Sequence, residues 1–112
     1  MKKFLVLYRM DMTAMKKMME DTSAEDRKKS MSEWGVWMGK NKMAFADSGA
    51  PVGKNSQVTA SGASEVSNDV GGYSIMQGES KEAVEAILAQ SPHVQMPGTV
   101  TDVMEIMAMP GI

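Results

Sequence analysis

The 112-residue sequence predicts an α+β sandwich, with four antiparallel strands and both helices on one face of the sheet. Three observations carry this expectation. Strand-like and helix-like segments run in the order β, α, β, ribbon, β, α, β. The first strand contains "FLVLY", apolar at every position. Two stretches join a helix-capping signal to an apolar stripe. No linker, repeat or low-complexity tract divides the chain, so residues 1–112 read as a single domain.

Residues 2–9, "KKFLVLYR", read as the first strand, with both faces covered because the apolar run is unbroken. A secretory signal also starts basic and turns apolar. Here the run stops at Arg9 and Asp11 without a small-residue cleavage pattern. "DMTAMKKMMED" follows as a short helical piece, with Met12, Met15 and Met19 at helical spacing. In "DTSAEDRKKSMSEWGVWMGKNK", Thr22 stands three residues before Glu25, a capping-box pattern. Glu25 faces Lys28 and Lys29 one turn on, while Ala24, Met31, Trp34 and Met38 share much of the opposite face. The two pieces read as one broken helix over residues 13–40. Gly35 weakens its middle by up to about 1 kcal/mol relative to Ala. Close packing against a neighbouring backbone would account for a glycine there.

"KMAFADSGAPVG" reads as a second strand running into a turn, with Met43, Phe45 and Asp47 alternating against Ala44 and Ala46. "SQVTASGASEVSND" is polar and small, and reads as a loop or as a β-ribbon with "QVTA" as one arm; the sequence leaves the order of residues 54–70 open. "VGGYSIMQGE" is the third main strand. Ser80 then caps "SKEAVEAILAQ", with Glu82 in the first turn and Val84, Ile87 and Leu88 as its buried stripe. Pro92 ends that helix. "TVTDVMEIMAM" is the last strand, stopped by Pro110, with Val103, Met107 and Met109 on one side and Val100, Met104, Ile106 and Ala108 on the other. The pattern is a ferredoxin-like βαββαβ order. It leaves one sheet face open although the first and last strands are apolar on both sides. A second copy of the chain is the economical cover, so a homodimer with sheets packed face to face is expected.

The balance of 12 basic and 14 acidic residues leaves no electrostatic footprint for nucleic acid or an anionic membrane surface. No segment is long and apolar enough to span a bilayer. The absence of cysteine removes disulfides, thiolate catalysis and Cys-based zinc or iron–sulfur sites, and fits a cytoplasmic protein. The 14 methionines read as flexible core filler in place of Leu and Ile. One histidine with scattered carboxylates is poor material for a metal centre. There is no phosphate-binding loop, dinucleotide fingerprint or nucleophile elbow, so no cofactor is expected.

"GGYSIMQGESKEAVEAILAQSPH", "WGVWMGKNKMAFADSGAPVG" and "VTDVMEIMAM" resemble, in order and spacing, segments of the YCII-related proteins. The likeness covers most of the chain. It implies a dimeric α/β barrel built from ferredoxin-like protomers, in a family of unsettled function for which a His–Asp pair has been suggested. The Asp-Gly-Pro-Phe motif of many members is replaced here by "TASGASEVSNDVGG", and the first helix has no histidine.

His93, in the loop "AQSPHVQMPGTV", is the only histidine and the natural candidate for general acid–base work. The "SPH" position also matches one in the family. The blander reading is a loop histidine hydrogen-bonded to backbone. Asp47 is the candidate partner, with turn-forming as its plainer role. Asp102 and Glu105 are three apart on a strand and so point to opposite faces. Tyr8, Trp34, Trp37 and Tyr73 could line a ligand pocket, with core packing as the default for such aromatics. Two functions remain open: a small-molecule-binding dimer with cofactor-free acid–base chemistry, or a non-catalytic binding or interaction module that keeps the fold. The missing motif and helix histidine favour the second; the "SPH" histidine favours the first.

Overall fold

The computed structural model describes residues 1–109, without the side chains of Met12, Ala14, Met15 and Met18. Of the expected stripe of Met12, Met15 and Met19, the first two side chains lie outside the described residues and Met19 is exposed; the stop at Pro110 also lies outside the described residues. The main sheet is built from β1 (Lys2–Met10), β2 (Phe45–Pro51), β5 (Val70–Gly78) and β6 (Thr99–Glu105). Its order is β2-β5-β1-β6 with every neighbouring pair antiparallel, the ferredoxin-like arrangement. The helices are α1 (Met12–Asp21), α2 (Ala24–Lys40) and α3 (Lys81–Leu88). A separate ribbon, β3 (Ser56–Thr59) with β4 (Gly62–Glu65), is exposed along both arms.

Strand alternation divides the sheet. Phe4, Val6 and Tyr8 of β1 stand opposite Met76, Ser74 and Gly72 of β5, and these six residues are buried. With Trp37, Val84 and Leu88 they make the core on the helix-covered face. Each such apolar side chain contributes roughly 1.5–3 kcal/mol by leaving water. Leu5, Leu7, Tyr73 and Ile75 alternate with them on the other face, joined there by Val100 and Met104 of β6. Those two are exposed.

Local chemistry places the helices. α1 and α2 separate at residues 22–23, as a broken helix should. The cap of α2 is Ser23 rather than Thr22: its hydroxyl accepts the Asp26 N–H at 3.1 Å. α2 turns Trp34, Trp37 and Met38 inward. Asn41 closes it, giving both its backbone N–H and its Nδ2 to the Trp37 carbonyl. Gly35 is exposed, and a Cβ there would meet no atom within 4 Å. The close-packing account of that glycine therefore fails. Ser80 caps α3 by accepting the Ala83 N–H, and Val84 and Leu88 are buried while Ile87 packs beside them, as expected.

Three expectations change. A 3-10 turn at Lys42–Ala44 precedes β2, which leaves Met43 exposed. β6 stops at Glu105, so Met107 and Met109 have no sheet face to share and are exposed. Methionine as core filler holds for Met76 alone among the fully buried described residues, while seven methionines are exposed. The radius of gyration is 15.9 Å, against about 13 Å for a compact chain of this length. The exposed ribbon and the exposed outer surfaces of α1 and α2 fit that extension.

Candidate functional site

A cavity of about 460 Å³ lies on the helix side of the sheet. Tyr8 and Met10 of β1, Trp34 and Met38 of α2, residues 48–51 of β2, residues 71–74 of β5, and His93 line it. No Asp, Glu, Lys or Arg lines this wall.

His93 opens a 3-10 turn at His93–Gln95. Pro92, at φ −59, is pre-set for that turn, and Gly98, at φ +77, supplies the reversal into β6. Thr99 ties the turn to the sheet, its hydroxyl lying 2.6 Å from the His93 carbonyl and 2.8 Å from that of Met96. His93 is 5 % exposed, and its imidazole reaches the seam where β1 and β6 pair. Its Nε2 lies 2.9 Å from the Arg9 carbonyl and 3.0 Å from the Val100 carbonyl. Carbonyls only accept, so Nε2 carries the proton. In the neutral ring Nδ1 then holds the lone pair, and it has no protein partner among the described residues. Tyr8 and Trp34 wall the ring, with centroids at 5.5 and 6.4 Å.

A hydrogen-bonded chain crosses the cavity floor. Ser74 Oγ donates to the Ser48 carbonyl at 2.8 Å, and Tyr8 Oη lies 3.0 Å from Ser74 Oγ. Burial pushes the Tyr8 phenol above its ordinary pKa, and the Ser74 hydrogen bond offsets part of that rise. Ser74 and Ser48 were not singled out by sequence. The signal was present: on the inward face of "GGYSIM" a lone hydroxyl alternates with Gly72 and Met76.

The other candidates fall elsewhere. Asp47 pairs with Ile75 while Phe45 pairs with Met76, with an irregular register between them. One extra residue in β2 flips side-chain parity, so Phe45 packs on the core and Asp47 faces the opposite side. Its carboxylate accepts the Gly49 N–H at 2.8 Å, the turn role. The structure does not bring Asp47 and His93 together. Trp37 is core: its Nε1 donates to the Ile87 carbonyl, and its ring sits edge-on to Trp34 and Phe45. Tyr73 pairs with Leu7, which puts its ring on the open face, while its carbonyl abuts Gly49 at the cavity wall. Tyr8, Trp34 and His93 are the predicted residues whose side chains meet at the cavity.

On the open face Arg9 grips Asp69 through Nε and Nη2 at 2.9 Å each, and Asp102 through Nη1 at 2.9 Å. The Arg9 guanidinium holds the Asp69 carboxyl below its usual value. Asp102 thus has a partner on that face. Glu105, pairing with Phe4 on the other, lies 3.6 Å from Lys2. Among the described residues no three His, Asp or Glu side chains gather as a metal site, and no helix is long and apolar enough to cross a membrane.

Neither the protein-family models nor the curated proteins match this chain. Among solved structures it is similar to the 5-chloro-2-hydroxyhydroquinone dehydrochlorinase TftG from Burkholderia phenoliruptrix AC1100, in complex with 2,5-dihydroxybenzoquinone. The TM-score is 0.53 at 13% identity, over 89% of this chain and 90% of that one. This likeness supports the α+β fold.

Proposed function

We propose that the chain is a YCII-like protein that binds a small, neutral organic molecule in the cavity between Tyr8, Trp34 and His93. The uncharged aromatic cavity is the observation that carries this reading. Its volume, about 460 Å³, falls in the range of small-ligand sites. The structural neighbour's complex with 2,5-dihydroxybenzoquinone, a one-ring molecule, agrees with that size. His93 would meet the ligand through Nδ1, its one uncommitted nitrogen, and could there accept a proton without any cofactor. Asp47 gives no help within one protomer. The two main-chain carbonyls orient the ring in its place, so the binding reading is stronger than the catalytic one. A cytoplasmic setting, consistent with the lack of cysteine, belongs to the same proposal.

Titration of the isotope-labelled chain with one-ring phenols tests it. Shifts confined to the resonances of Tyr8, Trp34, Met38 and His93 are expected. No shift at millimolar ligand would remove the reading.

The partner in this proposal is a second copy of the chain. Leu5, Leu7, Ile75, Val100 and Met104 make an apolar sheet face that no element among the described residues covers. Sedimentation of a dimer at micromolar concentration, lost on Met104→Lys, is expected; monomer alone in the wild type would defeat the dimer.

A further inference from the structure

Each polar side chain around the cavity has a fixed number of protons, and two of those protons are committed to main-chain carbonyls. The proton on Nε2 of His93 goes to the Arg9 and Val100 carbonyls, which leaves Nδ1 as an acceptor. The single Ser74 hydroxyl proton goes to the Ser48 carbonyl. Ser74 Oγ can therefore only accept from Tyr8, and Tyr8 must give its own proton to Ser74. What Tyr8 Oη keeps are lone pairs. The indole N–H of Trp34 and the hydroxyl of Ser48 are the side-chain donors facing this wall that have no protein acceptor among the described residues.

We infer that the cavity selects hydrogen-bond donors: it takes a neutral, planar ligand carrying an O–H or N–H that is donated to His93 Nδ1 or Tyr8 Oη. Ser74 is the positioning residue for this preference, because it draws the Tyr8 proton away from the cavity. This inference rests on the proposed cavity-binding function. A ligand that only accepts would cover both acceptors and cut them off from water without giving either a donor, and such loss costs more than the bond gains. An O-methyl ether or a fully oxidised quinone without hydroxyl groups is such a ligand; a phenol or an enol is not.

The test is a matched pair, 4-methoxyphenol and 1,4-dimethoxybenzene, which differ by one methyl on oxygen. Both are titrated into the full chain, with the indole and cavity methyl resonances as readout. The phenol is expected to bind roughly tenfold more tightly. In Ser74→Ala the Tyr8 hydroxyl is released towards the ligand, and the preference is expected to shrink to about twofold. Equal affinities in the wild type would overturn the inference while leaving the cavity reading intact. A preference that Ser74→Ala leaves unchanged would overturn the role of Ser74 and Tyr8. Absence of binding by both compounds would overturn the cavity reading and this inference together.

Discussion

Gly49 is the position where the backbone most severely restricts the sequence, and Gly49→Ala is the sharpest test of the β2–β5 geometry. The residue sits at φ +77, a conformation that costs an L side chain roughly 1–2 kcal/mol. A Cβ there would also stand 1.7 Å from the Tyr73 carbonyl oxygen and 2.6 Å from its carbon. Ordinary contact between heavy atoms lies near about 3.5 Å, so the strands must part locally by well over about 1 Å. A hydrogen bond does not survive that shift. Losing one or two ladder bonds adds about 1 kcal/mol each. The total is about 3 kcal/mol, a large share of the stability of a domain this size. Urea unfolding followed by circular dichroism, at one fixed protein concentration, measures it as a lowered midpoint at constant slope. Gly35→Ala and Gly39→Ala are the controls. Both sites are helical with open space around a Cβ, and each substitution is expected to raise stability by up to about 1 kcal/mol. A loss of less than about 1 kcal/mol for Gly49→Ala would refute the reasoning, since the backbone conformation alone predicts that much.

His93→Ala leaves the Arg9 and Val100 carbonyls without their shared donor, and should cost about 2–3 kcal/mol, seen as a fall in melting temperature of roughly 10 °C or more. A melting curve unchanged from wild type would mean that the histidine does not staple β1 to β6. Asp69 has its folded-state pKa lowered by Arg9, so its contribution is complete above the unfolded carboxyl value near about 4 and is lost as pH falls through the folded one. Melting temperatures of wild type and Asp69→Asn should therefore converge in acid; a gap constant with pH contradicts the ion pair. Tyr8 has its folded pKa raised, so the unfolded chain loses its phenol proton first and stability falls as pH rises past about 10. Tyr8→Phe should flatten that alkaline fall, as read by melts at pH values on either side of it. Under mild peroxide, Met1, Met31, Met43 and Met107 should gain oxygen well before Met76, with the far-ultraviolet spectrum unchanged; peptide mass spectrometry that finds Met76 oxidised among the first would contradict its burial.

The secondary structure was legible because its signals are local. Ser80 needs only the N–H three residues on, and the Val84–Leu88 stripe needs only the helical period. The apolar "FLVLY" run announced a strand with two apolar faces, and four such strands with two capped helices admit few arrangements. The site was legible only in part. Tyr8, Trp34 and His93 were named from residue type, yet their meeting depends on chain segments 84 residues apart, where His93 Nε2 reaches the Arg9 carbonyl.

The same limit explains the misreadings. Met43, Phe45 and Asp47 alternate perfectly in sequence, but the register irregularity after Phe45 sends Asp47 to the far side of the sheet. Methionine content says nothing about which methionines a sheet face will reach. Sequence marks Gly35 as helical and Gly49 as near a turn, but not how closely a neighbouring backbone approaches: one has open space around it and the other a carbonyl at its back. The order of strands and helices follows from periodicity and capping, properties of neighbours in the chain. The directions of the Tyr8 and His93 protons follow from which carbonyls stand beside them, and that is a property of neighbours in space.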